Sequence, residues 1–370
     1  RAPEARRIDL AGRTLMPGLI DAHVHAVLTT MDLAALEKKP VTLVANEARL
    51  VLEGMLRRGF TTVRDAGGAD WGLAQAIERG LIRGPRLFFS GRVLSQTGGH
   101  GDFSPREDAP RLCACSIRSS GFSHVADGVD AVRKAAREEL RRGAFQVKIM
   151  ASGGVASPTD PIWNLQYSLD EMRAIVEEAH GWRTYALAHA YTPEAITRAV
   201  RAGVRSIEHG NLIDAETAAL MAREGAFLVP TLVTYFKIEE LGRALGFPAV
   251  SQRKVKDVLD AGLASLAIAK AAGVSIGFGT DLLGETHEHQ SQEFSIRARV
   301  LSSAEILRSA TLVNAALLRR EGELGVVAAG ALADLLVVDG DPLADVTLLA
   351  EPEKHLLAVM KGGEFAVDRL

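Results

Sequence analysis

Pro17-Gly18-Leu19-Ile20-Asp21-Ala22-His23-Val24-His25-Ala26 is a short apolar run that ends in two histidines and gives way to a helical pattern. Runs of the same kind recur as FTTVRDAG at 60–67, RLFFSG at 86–91, FQVKIMASG at 145–153 and TYALAHA at 184–190. VRSIEHG at 204–210, AFLVPT at 226–231 and SIGFGTD at 275–281 complete the set. Each closes on polar or Gly-rich residues, and amphipathic helical patterns lie between them, for example at 127–142 and 168–180. The second of these opens with Ser168 three residues before Glu171, a capping-box start. Strands alternating with helices imply parallel βαβ units. Eight such units match an α/β fold of the (β/α)8 TIM-barrel type better than an open doubly wound sheet. No G-x-G-x-x-G or G-K-[ST] follows any run, so a nucleotide-binding fold has no support.

The chain has 370 residues, and an α/β barrel absorbs roughly 250 as one domain. The tail changes character: residues 324–338, the turn Asp339-Gly340-Asp341-Pro342 and residues 356–365 read as short strands with tight turns. Residues 7–13 are placed to pair with them. The expected organisation is an N-terminal part of a small β-sandwich at 1–16, incomplete at its front, a barrel at 17–320, and the rest of the sandwich at 321–370. A formal net charge of −3 gives no electrostatic footprint for nucleic acid or an anionic membrane, and aromatic residues at 5% leave few stacking platforms. No apolar run approaches the roughly 20 residues of a membrane helix. Cys113 and Cys115 are too few for a disulfide framework or a thiolate zinc site, and read as reduced structural thiols. The sequence starts at Arg1 and shows no signal peptide, which leaves a soluble protein of either the cytoplasm or, after loss of an upstream segment, an exported one.

In a barrel the functional face is the carboxyl end of the strands. The first run ends in His23 and His25, and residues two apart on a strand share a face. The fifth ends in His189, the sixth in His209 and the eighth in Asp281. One of these alone would read as an ordinary core residue; their coincidence at one end points to a metal centre. Lys148 stands inside a strand otherwise suited to burial, where an isolated ammonium is costly unless it snorkels from an edge. A neutral lysine adds carbon dioxide to form a carbamate, whose two oxygens can bridge two cations.

Pro17 to His25, Lys148, His189, His209, Asp281 and the tail Gly330-Ala331-Leu332-Ala333-Asp334-Leu335 with Asp341-Pro342 together resemble the amidohydrolase superfamily, in its two-metal branch with a carboxylated lysine. Residues 58–68, Gln96-Thr97-Gly98-Gly99-His100, residues 151–158 and His189-Ala190-Tyr191-Thr192-Pro193 resemble bacterial prolidase-like dipeptidases and ochratoxin-degrading amidohydrolases. The resemblance implies two divalent metal ions, zinc by default. His23, His25 and Asp281 would hold one, His189 and His209 the other, with N6-carboxylysine at Lys148 between them. It also implies homo-oligomeric assembly and attack of a metal-bridging hydroxide on an amide carbonyl, with Asp281 carrying the proton to the departing amine. His100, in a Gly-rich loop, would donate to the carbonyl or its oxyanion, and Tyr191 would meet the substrate's carboxylate.

The reaction so implied releases a C-terminal amino acid from a dipeptide or an N-acyl amino acid, Xaa-Pro dipeptides and ochratoxin A being two such classes. Hydrolysis or deamination of a cyclic amide or amidine, of the imidazolonepropionase type, is the second reading, and Lys148 counts against it. An inactive barrel kept as an interaction module is the third, although every expected ligand is retained. His287-Glu288-His289 repeats the H-x-H spacing in what reads as a loop, where two-residue spacing guarantees no common face. Gly153-Gly154 is read as support for the Lys148 strand end, and Arg64 with Asp65 as a pair bracing the barrel mouth.

Overall fold

The computed structural model describes residues 7–36, 38–103, 121–157 and 159–370, so Cys113 and Cys115 lie outside the described residues. Its strands in chain order are β1 (Thr14–Pro17), β2 (Leu19–Val24), β3 (Phe60–Asp65), β4 (Arg86–Phe89), β5 (Val93–Ser95), β6 (Ser123–Val125) and β7 (Val147–Met150). After them come β8 (Ala186–Ala190), β9 (Ser206–His209), β10 (Phe227–Val229), β11 (Ser275–Ile276), β12 (Leu335–Val338), β13 (Leu356–Lys361) and β14 (Glu364–Asp368). A seven-stranded sheet runs β11-β10-β9-β8-β7-β5-β6 and a three-stranded sheet runs β2-β3-β4, with every neighbouring pair parallel. Strands β2, β3 and β7 to β10 are buried along their whole length, as parallel strands covered on both faces must be. The covering helices are amphipathic: Leu169–Gly181 buries Met172, Ile175, Val176 and Ala179 at helical spacing, and its capping box on Ser168 and Glu171 is formed. Among the described residues no helix is long and apolar enough to cross a membrane.

Each of the eight expected runs contains a strand, but two are interrupted. Beyond the third run the chain continues to Ser95 as two pieces, because Gly91 takes φ +71° and the Glu139 carboxylate occupies the space a side chain there would need. The first piece, β4, pairs with β3 and the second, β5, with β7. The eighth run is a regular strand for two residues only; from Gly277 onward its backbone bonds alternate between neighbours on both sides. Gly277 N donates to Leu228 O, Phe278 O accepts from Ala22 N, and Asp281 N donates to His23 O, each at 2.8 Å. Glycine at 279 is required there, since a Cβ would lie 2.8 Å from that of His23. On the other flank, Phe145 N donates to Phe89 O at 2.8 Å.

The chain ends build an antiparallel sheet in the order β1-β12-β13-β14. The N-terminal contribution is Thr14–Pro17, not residues 7–13 as expected. Ala11 and Gly12 both have positive φ, a turn that prevents an extended run before Arg13. The stretch before Leu335 is likewise turn and coil, with Gly325 and Gly330 at positive φ.

Candidate functional site

Strand β2 is buried from Leu19 to Val24, and the two imidazoles carried at its carboxyl end have ring centroids 5.2 Å apart. His23 Nδ1 lies 2.6 Å from Glu208 Oε2, and His25 Nδ1 lies 2.9 Å from Gly67 O. A carboxylate and a carbonyl both accept, so each Nδ1 carries the proton and each Nε2 presents a lone pair. His23 Nε2 is buried with no hydrogen-bond partner. It is 3.4 Å from Asp281 Oδ1, and His25 Nε2 is 3.1 Å from the same oxygen. His189, at the end of β8, turns Nε2 toward Gly153 O at 3.1 Å, and His209, at the end of β9, turns Nδ1 toward Thr231 Oγ1 at 2.8 Å. The His209 ring stands 5.0 Å from His23 and 4.7 Å from His189.

Two residues leave the regular strand pattern to reach this centre. Glu208 and His209 are consecutive, and alternation would send them to opposite faces. His209 takes φ +74° and Asp281 φ +54°, left-handed conformations that cost non-glycine residues on the order of 1–3 kcal/mol and cluster where function over-determines them. The result brings one donor atom each of His23, His209 and Asp281 within 4.8 Å of one another, a set that could hold a divalent cation. The fit is that of an imidazole and carboxylate donor set with an orphaned, buried nitrogen at its middle.

Lys148 is buried on β7, and its ammonium is pushed down to about 8, burial outweighing the favourable fields of Glu208 and Asp281. An amine so placed gives up its proton more easily than an ordinary lysine, as carbamate formation needs. Burial works against the Asp281 carboxylate, but the charge and hydrogen bonds of His23 and His25, when these rings carry a second proton on Nε2, hold it well below the usual range. Burial pushes His189 and His209 well down, toward the neutral ligand form.

These residues line one cavity together with His100, Tyr191, Tyr235 and an apolar wall of Leu28, Leu33, Phe103, Phe122, Ile238 and Leu283. His100 stacks on His189 with centroids 4.2 Å apart, and burial lowers its pKa to about 4. Tyr191 follows β8 directly because Thr192 caps the next helix and Pro193 starts it, which fixes the phenol between strand and helix. Its hydroxyl is 2.9 Å from that of Tyr235, and burial pushes both phenols up, which keeps them protonated donors.

One expectation changes. Arg64 does not pair with Asp65, since neighbours on a strand face opposite ways. Its guanidinium reaches Glu208 at 2.8 Å and Ser206 Oγ at 2.9 Å, while Asp65 accepts from the backbone N–H of Ala26, Gly67 and Ala69. Burial would raise the Glu208 carboxyl, but Arg64 and His23 hold it below the usual range. Gly154 stands under His100, where a Cβ would meet the ring at 2.1 Å. The pair His287 and His289 is not in the cavity: His287 is buried with Nε2 3.1 Å from Leu28 O, and His289 lies beside Gln292. Sequence reading missed Glu208, whose signal was a carboxylate inside a strand run just before His209, and Tyr235, which carried none.

The amidohydrolase family model matches residues 14–365, and the chain belongs to that family. A prolidase solved with N-methylphosphonate-L-proline is 54% identical, covers 100% of this chain and is itself covered to 90%, with a TM-score of 0.97. A Xaa-Pro dipeptidase solved with bound methionine is 32% identical over 95% of this chain and 86% of its own, with a TM-score of 0.85. Ochratoxinase of Aspergillus niger is 32% identical over 362 residues, 95% of this chain and 75% of that protein. The chain is a hydrolytic enzyme of a generally metal-dependent family.

Proposed function

We propose that the protein is a binuclear metal amide hydrolase that releases a C-terminal amino acid from dipeptides or N-acyl amino acids. The observation that carries this is the convergence of His23, His25, His189, His209, Asp281 and buried Lys148 on one cavity. His23, His25 and Asp281 would hold one cation, His189 and His209 the second, and Lys148, carboxylated by carbon dioxide, would bridge them. Two bound zinc ions would supply a hydroxide nucleophile at neutral pH and polarise the scissile carbonyl. Asp281, close to both histidines of the first strand, takes the nucleophile's proton and gives it to the departing amine, which cannot leave as an anion. His100 donates to the carbonyl oxygen as it gains charge, and the protonated phenol of Tyr191 meets the carboxylate of the leaving amino acid. The supporting frame is a closed (β/α)8 barrel at 17–320, whose two sheets are arcs bridged by the Ala22–Phe278 and Phe89–Phe145 hydrogen bonds. The terminal sheet belongs to a small β-sandwich, and the whole assembles as a homo-oligomer.

The wall narrows the substrate class. Among the described lining residues the only carboxylate is Asp281, so a lysine or arginine side chain finds no free counter-charge, whereas proline or phenylalanine finds apolar contact. The named relatives, two acting on Xaa-Pro or proline compounds and one on ochratoxin, support the same preference. Cyclic amide or amidine hydrolysis of the imidazolonepropionase type is the weaker reading because a single-metal site gives buried Lys148 no role. Mass-spectrometric detection of free amino acid, from enzyme supplied with zinc and bicarbonate, tests the assignment on Xaa-Pro, Xaa-Arg, Xaa-Phe, N-acyl amino acids and ochratoxin A. Release from proline or phenylalanine substrates is expected. Preference for Xaa-Arg would contradict the pocket argument, and silence with two metals bound would favour cyclic amides.

A further inference from the structure

His100 lines the cavity, but the hydrogen bond it can offer depends on which ring nitrogen carries the proton. A neutral imidazole has one N–H and one acceptor nitrogen. His100 Nδ1 lies 2.7 Å from Ser157 Oγ, and that hydroxyl is also 3.3 Å from Gly154 O. Ser157 has a single proton, which satisfies one of the two. Lys254, on the helix Ala249–Ala271, decides between them, because its ammonium donates to the carbonyls of Gly154 at 2.9 Å, Ser157 at 2.8 Å and Asp160 at 2.5 Å. Gly154 O therefore has a charged donor at shorter range than the hydroxyl. The carbonyl can accept twice, but with the charged donor in place its 3.3 Å contact gains least from the Ser157 proton, which favours donation to His100 Nδ1 across 2.7 Å and a ring proton on Nε2.

The rest of the pocket holds this arrangement in place. The ring is confined between His189, stacked at 4.2 Å, and Gly154, where even a methyl group would collide with it. His100 N donates to Gln166 Oε1 at 2.8 Å, which fixes the backbone. Asp160 Oδ2 is 3.9 Å from Nδ1, too far to accept its proton, and already takes the N–H of Gly154 and the amide of Gln166.

We propose that Ser157, released by Lys254 from the Gly154 carbonyl, donates to His100 Nδ1 and fixes His100 as the Nε2–H tautomer, a donor to the substrate carbonyl. The catalytic part rests on the amide-hydrolase reading; the tautomer does not. Ser157 and Lys254 are positioning residues.

Neutron diffraction from deuterium-exchanged crystals of the zinc-loaded enzyme reads the tautomer directly. The expected map has deuterium on His100 Nε2 and the Ser157 deuteron turned to Nδ1; deuterium on Nδ1 overturns the proposal. In Lys254→Met the Ser157 deuteron should turn to Gly154 O, and an unmoved deuteron would remove Lys254 from the device. In kinetics, Ser157→Ala should lower kcat by about 10- to 100-fold with KM nearly unchanged, while Ser157→Thr keeps kcat within about threefold. Equal kcat in the two variants would overturn the positioning role. Should Ser157→Ala fail to fold, the wild-type map and the threonine variant still decide. If no amide is cleaved, the deuteron position stands as its own answer, so the two failures are told apart.

Discussion

Asp281 combines a strained backbone at φ +54° with a side chain 3.1 Å from His25 and 3.4 Å from His23. A carboxylate there serves either as a ligand alone or as ligand and proton carrier. Asp281→Asn separates these: metal should be partly retained while kcat falls by about 100-fold or more, and an unchanged kcat would end the proton-transfer role. Lys148→Ala should lose two-metal loading, measured by plasma mass spectrometry, with a circular-dichroism spectrum like that of the wild type. Two metals per chain in that variant would contradict the carbamate bridge. At this scale the sequence showed which side chains gather at the cavity, because strand alternation and strand ends are local features that His23, His25, His189, His209 and Asp281 display directly. It did not carry the partners. Glu208 meets His23 across 185 positions, Ser157 meets His100 across 57, and no local pattern announces such contacts.

The elements were legible in kind and less so in extent. Capping residues mark helix starts without tertiary help, as Ser168 with Glu171 does, whereas the break at Gly91 depends on Glu139 arriving from a helix 47 positions beyond Arg92. Helix Ser303–Arg308 has a second capping box, on Ser302 and Glu305. Lys270 and Ser302 hold the Glu305 carboxyl down at about 2. A depressed carboxyl contributes stability above its ordinary pKa and loses it as pH falls toward the folded value. The melting-temperature gap between wild type and Glu305→Gln should therefore be largest above pH 5 and narrow from there toward pH 2. A gap independent of pH would show that the charge contributes nothing.

Across the whole molecule, the centre is tied together by a buried guanidinium. Arg64 on β3 bonds Ala22 O on β2 at 2.5 Å and Glu208 on β9 at 2.8 Å, so one side chain joins the three-stranded sheet to the seven-stranded one. Breaking a buried ion pair from one side leaves the other charge stranded, which costs about 3–5 kcal/mol. Arg64→Met should lose roughly that in denaturant unfolding, and a loss below about 1 kcal/mol would mean the pair is dispensable. The strand–helix rhythm revealed the parallel architecture from sequence, but not this tie, since the charge pattern of a single strand does not say which strand it faces. The terminal sheet was legible from β12 to β14, and its N-terminal strand was misplaced by a few residues because a turn at Ala11 and Gly12 decides where extension begins.

The central claim is that these side chains bracket two metals with Lys148 between them. Anomalous diffraction at the zinc edge, from crystals grown with zinc and bicarbonate, tests it most directly. The account predicts two anomalous peaks, one by His23, His25 and Asp281 and one by His189 and His209, with density for a carboxyl group beyond Lys148 Nζ. A single peak, with Lys148 ending at its amine, would contradict it.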